Sequence, residues 1–364
     1  MNRNRISTQF LLYCLMMMFL MVIGCSKSDD SAPAPAAYTQ ADLTGTWQAH
    51  MLQAGTTNEW QYVTVTINST GTLSFVKCQS PTSPTCPTGP IVWTINSSGV
   101  ISETDNGTAT DSHYTMTSNK NFISGTGTGG GDTDYQLLIA QKKVSGTTYN
   151  SSDVLSQSFV LHQLVVGATD NEWYYGTLST DSTGAITQTS WTSHYGTDST
   201  TEVTGIKLSV DTNGVVLMDA VDSFQGFLSD DKKTIVATYT DSAGNYRLSI
   251  FQITEGQSSS TSQVVGTSYN HMLTVGADTF WAHLSISITS AGVITFNSDW
   301  VDSNSGTGPT GTETISIGSS GAATLAGTAF EETSFNGQLS YDGKFMVATQ
   351  TSSTNDYSLV VITR

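Results

Sequence analysis

Beyond residue 40 the apolar and polar positions alternate with a period of two. Val63-Thr64-Val65-Thr66-Ile67, Leu284-Ser285-Ile286-Ser287-Ile288 and Tyr246-Arg247-Leu248-Ser249-Ile250-Phe251 show the pattern plainly. Such alternation gives a segment one buried and one outward face, which predicts half-buried strands. Turn pairs such as Ser98-Gly99, Thr183-Gly184, Asn213-Gly214 and Asp342-Gly343 punctuate the runs. No stretch after residue 40 keeps apolar residues at helical spacing between caps. Short consecutive strands joined by tight turns predict hairpins and meanders, hence an all-β chain of antiparallel sheet.

The pattern also repeats. His50-Met51-Leu52-Gln53-Ala54-Gly55 is followed by Trp60, His162-Gln163-Leu164-Val165-Val166-Gly167 by Trp173, and His271-Met272-Leu273-Thr274-Val275-Gly276 by Trp281. The shared form is H-x-L-x-x-G and then Trp, with the histidines 112 and 109 residues apart. Each unit also closes alike, with Asp134-Tyr135-Gln136-Leu137, Asn245-Tyr246-Arg247-Leu248 and Asp356-Tyr357-Ser358-Leu359. Trp191 and Trp300 match too, each after a Gly-x-Ile (Gly184 and Ile186; Gly292 and Ile294). A finer period relates Gly176-Thr177-Leu178-Ser179 to Gly226-Phe227-Leu228-Ser229, and Leu284-Ser285 to Leu339-Ser340.

The repeats divide the chain into a leader (1–24), a tether (25–40) and β repeats at 41–145, 146–256 and 257–364. Eight strands per repeat fit two architectures. Two four-stranded blades per unit give a six-bladed β-propeller made of three double-blade repeats, which is the expectation adopted. The alternative is three tandem small β-barrels. Leu339-Ser340-Tyr341-Asp342-Gly343-Lys344-Phe345-Met346-Val347-Ala348 resembles the strand-turn-strand of TolB-type and WD-like propeller blades. Thr44-Gly45-Thr46-Trp47 resembles the opening strand of lipocalin-like barrels.

The first residues follow another pattern. Arg3 and Arg5 precede an unbroken, mostly apolar run, Phe10 to Ile23, of 14 residues. A membrane-spanning helix needs about 20, so the run reads as the apolar part of a signal peptide. It ends in Val22-Ile23-Gly24-Cys25, which resembles the lipobox of bacterial lipoproteins. The resemblance implies cleavage before Cys25, diacylglycerol on its sulfur, and a further acyl chain such as palmitate on its amino group. It also implies a place in the bacterial cell envelope, as an outer-membrane lipoprotein facing the periplasm or the cell surface. Ser31-Ala32-Pro33-Ala34-Pro35-Ala36-Ala37 reads as a stiff spacer.

Composition narrows the partners. The chain has 13 basic and 30 acidic residues, and without Arg3 and Arg5 the charge is −19. That excludes nucleic acid as a partner and leaves the lipid as the contact with the membrane. Of four cysteines, Cys14 belongs to the leader and Cys25 is the lipidation position, while Cys78 and Cys86 flank a short polar loop. Outside the cytoplasm that pair is expected to form a disulfide.

The candidate chemistry is sparse. His50, His162 and His271 share a strand face with Leu52, Leu164 and Leu273, as buried structural histidines do. In a propeller the three could converge near the axis and ligate a divalent metal; otherwise no cofactor is implied. Trp60, Trp173 and Trp281 are either packed in a core or exposed as platforms for a flat ligand such as a sugar. Ser124 to Asp132 is Gly-rich but lacks the lysine and helix of a phosphate loop. No G-x-S-x-G, H-E-x-x-H or C-x-x-C-H motif occurs. The resulting reading is a membrane-anchored exported lipoprotein with a non-catalytic binding or structural role, its partner a protein or glycan. An envelope hydrolase or lyase with a site at the propeller axis or barrel mouth is the alternative. A carrier of apolar ligands inside barrels is a third reading.

Overall fold

The structure, a computed structural model, describes residues 37–82, 85–129, 133–167, 171–197, 206–219, 221–304, 306, 308–309, 311–327, 332–352 and 355–364. The leader, Cys25 and most of the tether lie outside the described residues.

The alternating segments form three sheets. The first holds β1 (Gly45–Gly55), β2 (Glu59–Ile67), β3 (Leu73–Gln79), β4 (Ile91–Ile95), β5 (Val100–Asp105), β6 (Thr108–Ala109), β7 (Ser112–Met116), β8 (Phe122–Thr128) and β9 (Asp134–Lys143). The second holds β10 (Ser158–Val166), β11 (Glu172–Thr180), β12 (Ile186–Ser193), β13 (Gly196–Thr197), β14 (Leu208–Val210), β15 (Val215–Met218), β16 (Gln225–Leu228), β17 (Thr234–Thr240) and β18 (Tyr246–Ile253). The third holds β19 (Gly266–Val275), β20 (Phe280–Ile288), β21 (Val293–Phe296), β22 (Val301–Asp302), β23 (Thr312–Ile317), β24 (Ala322–Gly327), β25 (Glu332–Leu339), β26 (Phe345–Ser352) and β27 (Tyr357–Thr363).

Every pairing is antiparallel, and in each sheet the first strand lies between the second and the last. The remaining edges then meet. Thr72 bridges Val92 in the first sheet and Ala185 bridges Lys207 in the second, while β21 pairs β23 in the third. Each repeat is therefore an eight-stranded, up-and-down closed barrel, with β6, β13 and β22 as short additions at its side. The six-bladed propeller expectation is overturned. A blade keeps two free edges, whereas here the eight strands of a repeat use their edges on one another.

The closing seam depends on a glycine in each barrel. Gly71, Gly184 and Gly292 accept from the N–H groups of Trp93, Leu208 and Ile315 at 2.9, 2.9 and 2.8 Å. Their φ values are +86, +85 and +80°, and an added Cβ would stand 2.0–2.3 Å from the facing carbonyl oxygen. No residue with a side chain fits there. The 50-residue period also gains a physical sense: Gly176 and Gly226 lie on the second and sixth strands of one barrel, half a circuit apart.

A short helical turn precedes each barrel: α1 (Gln40–Leu43), and 3-10 turns at Ser151–Asp153 and Thr261–Val264. Each opens with a capping box, Thr39 with Asp42, Asn150 with Asp153, and Ser260 with Gln263. Leu43, Val154 and Val264 insert from these turns into the three barrel cores.

A further core belongs to no single barrel. Leu52, Leu164 and Leu273 join Leu137, Leu248 and Leu359, and Ile139, Ile250 and Val361, in one buried cluster. Each trio takes one residue from the same place in each repeat. The contacts run head to tail, first barrel on second, second on third, third on first, which closes a ring of three as heterologous interfaces do. The three barrels are therefore packed on one another through a shared core.

Candidate functional site

The period-two alternation divides each first strand between two jobs. In β1, Trp47 and Ala49 face the barrel's own lumen, while Leu52 and Ala54 face the neighbouring barrels. The same division places His50, His162 and His271 in the interfaces. All three are fully buried. His50 Nδ1 lies 3.4 Å from Thr238 Oγ1. His162 Nε2 donates to the Asn336 carbonyl at 3.1 Å, and His271 Nε2 lies 2.7 Å from Thr115 Oγ1. Each histidine thus meets a residue of the next barrel.

Burial pushes the pKa of His50 and of His162 down to about 3, so all three rings are neutral packing elements. His271 is held well below the ordinary 6.5 by burial, with His283 and His113 adding to it. Among the described residues no three His, Cys, Asp or Glu side chains gather as a metal site. The structure does not bring the three histidines together, because each belongs to a different interface.

The tryptophans seal the same interfaces. Trp60 Nε1 donates to Thr240 Oγ1 at 2.9 Å, Trp173 to Thr351 at 2.7 Å and Trp281 to Thr128 at 2.8 Å. Leu52 pairs with Trp60, Leu164 with Trp173 and Leu273 with Trp281 across one hairpin. The H-x-L-x-x-G…W motif is therefore a docking hairpin. Buried rings cannot serve as exposed platforms for a flat ligand, which corrects that expectation. Cys78 and Cys86 form a disulfide with a Cα–Cα distance of 5.3 Å.

The inward faces are where the repeats part company. The lumen of the second barrel holds a cavity of about 720 Å³. The third barrel has the same strand order, yet Met272, Phe335, Met346 and Gln350 leave about 30 Å³ at the corresponding depth. One cause is Gly176, which stands where the other repeats carry Val63 and Leu284. A Cβ at Gly176 would meet the Trp191 ring at 2.4 Å; without it, the indole lies against the wall and stacks on Tyr174 at 5.1 Å.

Toward the turns, the cavity wall carries a bonded polar group. Arg247 donates to Asp241 Oδ2 from Nε at 2.9 Å and from Nη2 at 2.6 Å, and to Gln163 Oε1 from Nη1 at 2.5 Å. Gln163 Nε2 donates to Tyr239 Oη at 2.8 Å and Ser249 Oγ at 2.6 Å. The guanidinium lies over the rings of Tyr174 and Tyr239, 5.5 and 5.9 Å from their centroids. Burial pushes the Asp241 carboxyl up, but Arg247 and the Asn245 N–H outweigh it and hold the group below its ordinary range.

Sequence reasoning passed over these residues. The signal was a difference within the repeat: where the second repeat has Gln163, Tyr239, Asp241 and Arg247, the first has Met51, Gly127, Gly129 and Gln136, and the third has Met272, Gln350, Ser352 and Ser358.

No family model matches the chain, and neither does any curated protein. Among solved structures it is similar to transferrin binding protein B from serogroup B Neisseria meningitidis, at a TM-score of 0.27 and 9% identity. That likeness covers 84% of this chain and 62% of that one, so this chain spans less than two thirds of it. A double mutant of transferrin binding protein B from Haemophilus parasuis Hp5 gives a TM-score of 0.27 and 9% identity over 87% of this chain and 74% of that one. Likenesses of this size carry no argument about ligand or partner.

Proposed function

We propose that the protein is a lipid-anchored, non-catalytic binding protein of the bacterial envelope, whose three barrels form one frame and whose second barrel holds a small ligand in its lumen. The observation that carries this reading is the contrast between about 720 Å³ in the second lumen and about 30 Å³ in the third. Eight strands make a barrel that is either filled or able to enclose one small ligand. A cavity of roughly 300–1,000 Å³ with apolar walls and a few convergent polar groups is the usual form of a small-molecule site. The hydrolase or lyase alternative finds less support, since the described lining residues include no histidine and Asp241, Arg247 and Gln163 are bonded to one another. The anchor and the outer-membrane place, facing the periplasm or the surface, rest on Val22-Ile23-Gly24-Cys25.

Titration of the neutral fluorophore N-phenyl-1-naphthylamine into the Cys25→Ser chain tests the lumen. Saturable binding at a single site is expected, and Met218→Trp should abolish it with little change in melting temperature. Absence of saturable binding, or binding indifferent to Met218→Trp and to Gly176→Leu alike, would refute the lumen reading. Metabolic labelling with a radiolabelled fatty acid tests the anchor separately: the native chain should take up the label and Cys25→Ser should not.

A further inference from the structure

We infer that the ligand is an amphiphile held tail-inward, with an uncharged or cationic head group at the mouth of the second barrel. This rests on the lumen reading and concerns only the chemistry of what the lumen takes.

The lining changes character along its depth. Asp222, Ser223, Asp241, Ser242 and Asn245 belong to the turns that end β15 and β17 and form the rim. Arg247 follows at the start of β18, beside Tyr174, Tyr239 and Gln163. Phe251 lies four residues further along the same strand, paired with Leu161, and Leu178 and Ile186 line that inner part. At about 3.3 Å per residue, the wall runs from polar to wholly apolar over about 13 Å. An all-polar ligand would strand its polar groups at the inner end, and an all-apolar one would leave the rim unused.

Charge selects the head group. Among the described lining residues, three carboxylates, Glu172, Asp222 and Asp241, stand against the single cation Arg247. That cation already donates from Nε, Nη1 and Nη2 to Asp241 and Gln163. An anionic head would face the remaining carboxylates without a released cation, on a chain whose net charge is −17. A neutral or positive head meets no such opposition and is drawn in by the acidic rim.

Three probes with one tail separate these cases: dodecyltrimethylammonium, dodecyl maltoside and dodecanoate, each below its micellar concentration, displacing N-phenyl-1-naphthylamine from the Cys25→Ser chain. The cationic and neutral probes are expected to displace it at concentrations about fivefold or more below that of dodecanoate at low salt. The gap of the cation should shrink in about 0.5 M salt, where the screening length falls to a few ångström, and in Asp222→Asn. Displacement by dodecanoate as effective as by the other two would overturn the head-group inference while leaving the lumen reading intact. Failure of the fluorophore itself to bind would overturn both.

Discussion

The outward and inward faces of the same strands differ in how far the three repeats agree. Outward, the repeats agree: His50, His162 and His271, the leucines two residues on, and Trp60, Trp173 and Trp281 occupy matching places in three head-to-tail interfaces. Inward they disagree, and Met51, Gln163 and Met272 stand at one level of three lumens with different contents. The outward face of each repeat must fit a neighbour of the same kind, so a change there has to be matched across the ring. The lumen answers only to its own barrel, and the second holds a cavity with a polar rim where the third is filled. Repetition thus marks the frame and departure from repetition marks the candidate site.

The largest expected effect comes from breaking the frame. Leu164→Asp buries an unpaired carboxylate in the core shared by all three barrels and should cost at least about 4 kcal/mol. A melting temperature within a few degrees of the native chain would show that the outward faces do not hold the ring.

Acid comes next. His50 and His162 have pKa values lowered to about 3, and His283, through burial and then His113, to about 4. A lowered pKa means the unfolded chain binds protons first, so stability is full above about 6.5 and falls as pH drops toward the folded values. By pH 5 the loss should be about 2 kcal/mol for each such ring. The interface of the third barrel with the first should yield earliest. There His283 stacks on His271 at 4.7 Å and on His113 at 5.2 Å, with Asp111 3.6 Å from His113 and Asp299 facing His283. The other interfaces have Tyr62 and Tyr175 in the place of His283. His283→Tyr should therefore flatten the pH dependence of melting between pH 7 and pH 5; an unchanged profile would show that the stack is not the acid-sensitive contact.

Inside the second barrel, Arg247→Gln installs the residue of the first repeat and leaves Asp241 without its cation. Denaturant unfolding should show a loss of about 2 kcal/mol, and adding Asp241→Asn should recover part of it. Equal stability of the single and double variants would mean that the pair is not coupled. The smallest contrast lies between tryptophans. Trp173→Phe removes the 2.7 Å bond to Thr351 and part of a buried ring and should cost about 2 kcal/mol. Trp191 Nε1 has no partner among the described residues, so Trp191→Phe loses only ring packing and should cost about 1 kcal/mol less.

Much of this was legible in the chain. Alternation in Leu284 to Ile288 gave a strand, and β20 occupies that place. The H-x-L-x-x-G…W form gave an equivalent hairpin three times, and Cys78 with Cys86 gave the disulfide. The propeller failed because an eight-strand meander has the same local signature whether it splits into blades or closes on itself. The deciding contacts are seam bonds such as Leu208 N–H to the Gly184 carbonyl, between strands that alternation treats alike. The polar rim stayed hidden because Gln163, Tyr239, Asp241 and Arg247 are separated by up to 84 residues in pairs such as Arg247 with Gln163.

The sequence by itself determined the strands, their antiparallel order and their threefold repetition, since period, turn residues and spacing are local properties of the chain. Only the tertiary structure decided which of the two faces of each strand meets a neighbouring barrel and which meets a lumen. In the docking strands β1, β10 and β19 both faces are buried, and burial against another barrel and burial inside one's own impose the same hydrophobic pattern.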